Sequence, residues 1–213
     1  MKFPSSPFVR RGAGLLALGA LAWIAGVATI AARVEAFGQV VGPAAPAPET
    51  WPADASLPRA SGVDALYVFV HPKCPCTRAT YSELREVLAR AERKPVVTIV
   101  SVPADPGVEP EPPALGPESH LPAAVVRLDR GGAEARRFGA ATSGHVVLYD
   151  AAGRLRYAGG VTASRARYGD SDARRALIAA LGGAAPEHVD VRPTFGCELF
   201  SGATACERCR KGD

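Results

Sequence analysis

Cys74 and Cys76, with only Pro75 between them, stand in the stretch FVHPKCPCTRATYSEL (69–84), where an apolar run stops and a helix-like pattern starts. Cysteines so close together are suited to exchange disulfides, clamp a metal or staple the backbone. In exchange the nucleophile is the thiolate, so whatever stabilises charged sulfur favours that chemistry. A helix N-terminus does this with its partial positive charge and unpaired N–H groups, and Lys73 and Arg78 add positive charge nearby. A disulfide across one intervening residue closes a small ring in which the preferred torsion near 90° is hard to reach. Such a bond is expected to be labile and comparatively oxidising. As an inert staple it would gain little, because the loop it closes is so short. His71 lies three residues before Cys74. Cys74, Cys76 and His71 therefore form an alternative soft site for Cu(I) or Zn(II), although structural zinc wants a fourth ligand and none stands nearby in the sequence. Otherwise His71 ends the strand as a polar residue or tunes the thiols. The pattern implies no cofactor.

Three further cysteines, Cys197, Cys206 and Cys209, lie in the tail PTFGCELFSGATACERCRKGD. The Cys206-Glu207-Arg208-Cys209 spacing fits a redox pair or half of a metal site, with His188 as a further zinc donor. The alternatives are a structural disulfide that ties the tail down, or a tail cysteine that resolves or shuttles electrons with Cys74. The five cysteines are an odd number, so at least one thiol falls outside any intramolecular pairing.

Compartment decides what these sulfurs do. Gly12 to Ala32 carries no charge and holds Leu15, Leu16, Leu18, Leu21, Trp23, Ile24, Val27 and Ile30 in a Gly/Ala background. About 20 apolar residues suffice to cross a bilayer, whereas a signal peptide has a core of about 7–15. Lys2, Arg10 and Arg11 precede the span and Arg33 follows it, so the positive-inside rule puts residues 1–11 in the cytoplasm and the remainder on the periplasmic, extracytoplasmic side. Cleavage after Ala36 is the alternative, and a twin-arginine signal beginning at Arg10-Arg11 is a poor match. Either reading delivers the cysteines to an oxidising compartment, where disulfides persist. Residues 33–60 are rich in proline and alanine and read as a semi-stiff spacer. The formal net charge of +4 is spread along the chain without a basic stripe, which excludes nucleic-acid binding as a supported function.

The elements that must position the cysteines follow from periodicity. ALYVFV (65–70) and VVTIVSV (96–102) read as buried strands, with a helix in TRATYSELREVLARAER between them, its Leu84, Val87, Leu88 and Ala91 on one stripe. Strand, helix, strand in this order implies a right-handed crossover and a parallel pair. The proline-rich stretch 103–119 reads as a loop. A third strand falls in 123–129, a short helix around 133–138, and a hairpin over 145–150 and 155–160. A helix over 172–181 follows, with Gly182-Gly183 as its C-terminal cap. The pair of cysteines thus sits at the carboxyl end of the first strand, where chemistry gathers in open α/β sheets.

FVHPKCPCTRA (69–79) and ARRFGAATSGHVVLYDAAGRLRYAGGVT (135–162), together with the FGCELF tail, resemble membrane-anchored proteins of the thioredoxin fold, namely the TlpA/ResA-type disulfide reductases and the related RedB-like proteins. The resemblance spans roughly residues 61–182. It implies a central mixed sheet flanked by helices behind one N-terminal transmembrane helix, with a thioredoxin-like domain over 61–185 and a Cys-rich tail over 186–213. It also implies that Cys74 is the attacking and more exposed thiol, Cys76 the resolving one, and Ser143 and Gly144 part of the substrate-facing loop. Two departures stand out. Thr142-Ser143-Gly144 replaces the family's cis-proline, and His71-Pro72-Lys73 replaces the tryptophan common before the first cysteine. The expected function is thiol–disulfide exchange with a protein partner. A copper-handling protein and a redox-inactive adaptor are the rival expectations.

Overall fold

The computed structural model describes residues 7–59, 61–103, 121, 123–182 and 189–200, with 7–13 described as backbone only. The chain divides into two units, Met1–Gln39 and Val40–Asp213. The first is a single helix, α1 (Pro7–Gly38), longer at both ends than the 12–32 span expected from charge-free sequence. Its segment Gly14–Gly38 is long and apolar enough to cross a membrane.

The second unit is built on six strands in the order β3-β2-β1-β4-β5-β6. The strands are β1 (Ala65–Val70), β2 (Val96–Ser101), β3 (Val125–Leu128), β4 (His145–Tyr149), β5 (Leu155–Gly159) and β6 (Asp190–Arg192). β1 is central, parallel to β2 and antiparallel to β4. β2 and β3 are parallel, and β4 and β5 form the expected antiparallel hairpin. β6, which nothing in the sequence pattern foretold, adds a short parallel edge beside β5.

Period two along β1 explains the layering. Leu66, Val68 and Val70 face one core with Tyr81, Leu84 and Val87 of α2 (Thr77–Arg90) and Leu177 and Leu181 of α4 (Asp172–Leu181). Ala65, Tyr67 and Phe69 face the other core, with Phe138 just after α3 (Ala133–Arg137). Every residue of β1 is buried, as its unbroken apolar run requires. α4 starts at Ser171, whose Oγ accepts from the Arg174 N–H at 3.0 Å, a conventional N-cap. Its end differs from expectation: Gly182 keeps right-handed helical angles, φ −74°, rather than forming a left-handed cap.

The spacer expectation is corrected. Residues 40–59 belong to the folded unit. The Trp51 ring lies 5.1 Å from both Tyr67 and Phe138 and 5.3 Å from Tyr149, and covers the second core. Tyr67 and Tyr149 donate their hydroxyls to the Pro58 and Pro48 carbonyls. Thr50 pairs with Arg154, and Ala44 with Ala140, as isolated antiparallel bridges. Prolines prevent a regular element here, but they leave carbonyls free to accept from buried tyrosines, and one tryptophan supplies the apolar contact. The proline-rich stretch read as a loop lies, after residue 103, outside the described residues.

Candidate functional site: three sulfurs beside the end of the first strand

The strand-to-helix junction forms as expected. β1 ends at Val70, the Cys74 N–H donates to the His71 carbonyl at 3.1 Å, and the Thr77 N–H donates to the Cys74 carbonyl at 3.2 Å. Cys76 is the N-cap residue of α2, with helical angles and no side-chain cap. Both sulfurs are buried, contrary to the expectation of an exposed attacking thiol: Cys74 is 3% and Cys76 8% exposed. Lys73 and Arg78 are exposed at the rim.

The loop before β4 closes over the sulfurs. Ser143 is buried, and its Oγ accepts from the His71 N–H at 2.9 Å and lies 3.3 Å from Thr77 Oγ1. The Gly144 N–H donates to the Phe69 carbonyl at 2.8 Å. Gly144 has φ +94°, and a Cβ there would meet Thr80 Oγ1 at 2.8 Å, so the turn requires glycine. No cis peptide bond occurs among the described residues, which include the place of the family's proline.

The tail comes to this loop. The Ser143 N–H donates to the Cys197 carbonyl at 2.8 Å, the Leu199 N–H donates to the Ala141 carbonyl at 2.8 Å, and Thr142 and Glu198 form an antiparallel bridge. Gly196 packs so tightly that a Cβ would collide with the Ser143 carbonyl. Cys197 is thereby placed with its side chain hydrogen-bonded to Cys74. Cys74, Cys76 and Cys197 form no disulfide in this structure.

The three sulfurs set one another's charge. Cys74 is held far below the ordinary thiol range, first by hydrogen bonds from the Cys197 and Cys76 side chains, which outweigh burial, with the Cys197 backbone and Ser143 adding to the effect. Cys76 is driven the other way, by donating to Cys74, by burial and by the neighbouring negative charge. Arg165 and the Ala166 backbone oppose that rise only in part. The donors around Cys74 thus favour the thiolate there and the thiol at Cys76. Burial lowers the His71 pKa, an effect that Lys73 reinforces and the Cys74 charge opposes. The largest influences on Cys74 come from sulfur and hydroxyl donors inside the site, not from the exposed Lys73 and Arg78.

The structure thus gathers Cys74, Cys76, Ser143, Gly144 and His71 as the sequence suggested, and brings Cys197 of the tail to them. Cys206, Cys209 and His188 lie outside the described residues. Thr77, Arg165 and Ala166 were missed. The hydroxyl of Thr77, directly after Cys76, was a visible signal; Arg165 lies 89 positions beyond Cys76, and nothing local marks it. Among the described residues no group of three or more His, Cys, Asp or Glu side chains is placed to hold a metal. His71 Nδ1 instead accepts from the Lys73 N–H at 3.1 Å.

The sheet, its central β1 and the cysteines at the β1–α2 turn make this a thioredoxin-like fold. No family model matches the chain, and no curated protein matches it. Among solved structures, an uncharacterized conserved protein from Geobacillus kaustophilus is 20% identical, with a TM-score of 0.53 over 78% of this chain and 95% of that one. A hypothetical protein from Sinorhizobium meliloti is 21% identical over 77% and 96%, with a TM-score of 0.46. A secreted Mycobacterium tuberculosis disulfide oxidoreductase homologous to E. coli DsbE is 19% identical over 57% and 81%, with a TM-score of 0.36.

Proposed function

We propose that this protein carries out thiol–disulfide exchange with another protein through Cys74 and Cys76, outside the cytoplasm, with α1 as its membrane anchor. The observation that carries the reading is the hydrogen-bond asymmetry of the pair: one sulfur surrounded by donors, the other donating to it. That is the state a nucleophile and its resolving thiol require.

The reaction follows from that asymmetry. The Cys74 thiolate attacks one sulfur of a partner disulfide, forms a Cys74–partner bond and expels the other partner sulfur as thiolate, which takes up a proton. Cys76 then loses its proton and attacks Cys74 Sγ. The second partner thiol leaves, and the Cys74–Cys76 disulfide remains. The partner has gained two electrons and this protein has lost two. Run backwards, the same steps oxidise a partner dithiol, and the relative potentials choose the direction. The strained geometry of so small a ring favours the oxidising direction.

The test is disulfide exchange with an oxidised model protein substrate. Cys74→Ser should abolish exchange, and Cys76→Ser combined with Cys197→Ser should accumulate the mixed disulfide on Cys74. Full exchange in Cys74→Ser would sink the proposal. An active Cys74→Ser/Cys76→Ser double variant would point to an adaptor instead.

A further inference from the structure

We infer that residues Thr194–Leu199 act as an internal substrate, holding Cys197 against Cys74 along the edge of the Ala141–Ser143 loop, so that Cys197 is a disulfide partner of Cys74 within the chain and must withdraw before another protein is served. The inference rests on the exchange reading above and adds a partner to it.

Three independent contacts make the placement. The tail runs antiparallel to the loop through the two 2.8 Å backbone hydrogen bonds at Ser143 and Leu199 that make the Thr142–Glu198 bridge. These use the backbone groups that an extended peptide would need in order to add itself to this edge. Leu199 is buried in the second core and anchors the segment beyond the cysteine, while the Gly42 N–H donates to the Thr194 carbonyl at 2.8 Å and anchors it before the cysteine. Glycine at position 196 is what allows the backbone to come so close to Ser143. The burial of Cys74 matches this arrangement, since the docked segment stands beside the sulfur that an external disulfide must reach.

The chemistry balances without a further reagent once Cys74 has been oxidised by a partner disulfide. In the Cys74–Cys76 disulfide, the Cys197 thiol loses its proton and attacks Cys74 Sγ. A Cys74–Cys197 bond forms, the Cys74–Cys76 bond breaks, and Cys76 leaves as a thiolate that takes up a proton. No electrons are gained or lost overall. Cys197 can also attack Cys74 in a mixed disulfide and release the partner's thiol, the same task as Cys76 from the opposite side.

The experiment uses the full chain carrying Cys206→Ser and Cys209→Ser, so that Cys197 is the one tail thiol. With Cys76→Ser added, the protein is treated with glutathione disulfide, free thiols are alkylated, and the peptides from cleavage after glutamate, which separates Cys197 from position 206, are weighed. A Cys74–Cys197 linkage is expected as the main product. Adding Gly196→Val should abolish that linkage and, in the reduced protein, speed alkylation of Cys74 roughly tenfold as backbone hydrogen bonds to the loop are lost. Cys74 left bound to glutathione with Cys197 fully alkylated would overturn the inference while leaving the exchange reading intact. A Cys74 inert toward glutathione disulfide when Cys76 is present would overturn both.

Discussion

At the scale of residues, sulfur charge is controlled by neighbours that donate hydrogen bonds. Ordinary thiols titrate near 8.5; the donors around Cys74 move it far below that value. Alkylation of the reduced protein at Cys74 should therefore keep its neutral-pH rate down to about pH 5, whereas Cys76 reacts slowly throughout. A Cys74 rate that falls tenfold per unit from about pH 8 downward would contradict the donor arrangement. His145 titrates with the opposite consequence. Burial pushes it down to about 4, its Nδ1 meets Thr194 Oγ1 at 3.1 Å and its Nε2 has no partner among the described residues. The unfolded chain, with an ordinary histidine near 6.5, binds the proton first, so folding stability is present in full above about 6.5 and falls as pH drops toward about 4, by up to about 3 kcal/mol. His145→Asn should flatten that slope in denaturant titrations between about pH 6.5 and 4. An identical slope in the variant would show that His145 is not its source.

At the scale of elements, a buried ion pair ties the helix that carries the cysteines to the segment behind them. Glu83 of α2 lies on the apolar face and is buried, yet its Oε2 accepts from Arg174 of α4 at 2.9 Å and its Oε1 from the Gly169 N–H at 2.7 Å. That second bond steadies the loop holding Arg165 and Ala166 against Cys76. Glu83→Ala leaves Arg174 buried with only Asp170, and should cost about 3–5 kcal/mol; a loss below about 1 kcal/mol would mean the pair is solvated. The apolar stripe of α2 was legible because Leu84 and Val87 repeat at helical spacing, and β1 because its run is apolar throughout. Glu83 was not legible as a core residue, since its partner lies 91 positions away and single-helix periodicity counts a carboxylate as surface.

At the scale of the molecule, the second folded unit begins at Val40. Removing residues 1–39 should release the protein from membranes and leave exchange unchanged, read by carbonate extraction and the disulfide assay on both forms. A full-length protein extracted as readily as the truncated one would rule out the anchor. Removing residues 1–60 instead takes away Trp51 and the carbonyls that Tyr67 and Tyr149 use, and should cost at least about 3 kcal/mol, the scale of deleting a large buried aromatic. A shortened protein that unfolds at the same urea concentration as the one starting at Val40 would show that the segment is only laid on the surface.

The sequence by itself determined what is written locally: an apolar helix flanked by arginines, strands and helices marked by their periods, and two cysteines at a strand-to-helix turn with a tail of three more. Only the tertiary structure decided what depends on distant parts of the chain meeting. It turned a proline-rich spacer into part of the core and buried the sulfur expected to be exposed. It also brought Cys197 to Cys74, by an antiparallel bridge between residues 56 positions apart. The reason is physical: periodicity reports which face of an element is apolar, but hydrogen bonds between unrelated backbone segments leave no repeating trace in the residues that make them.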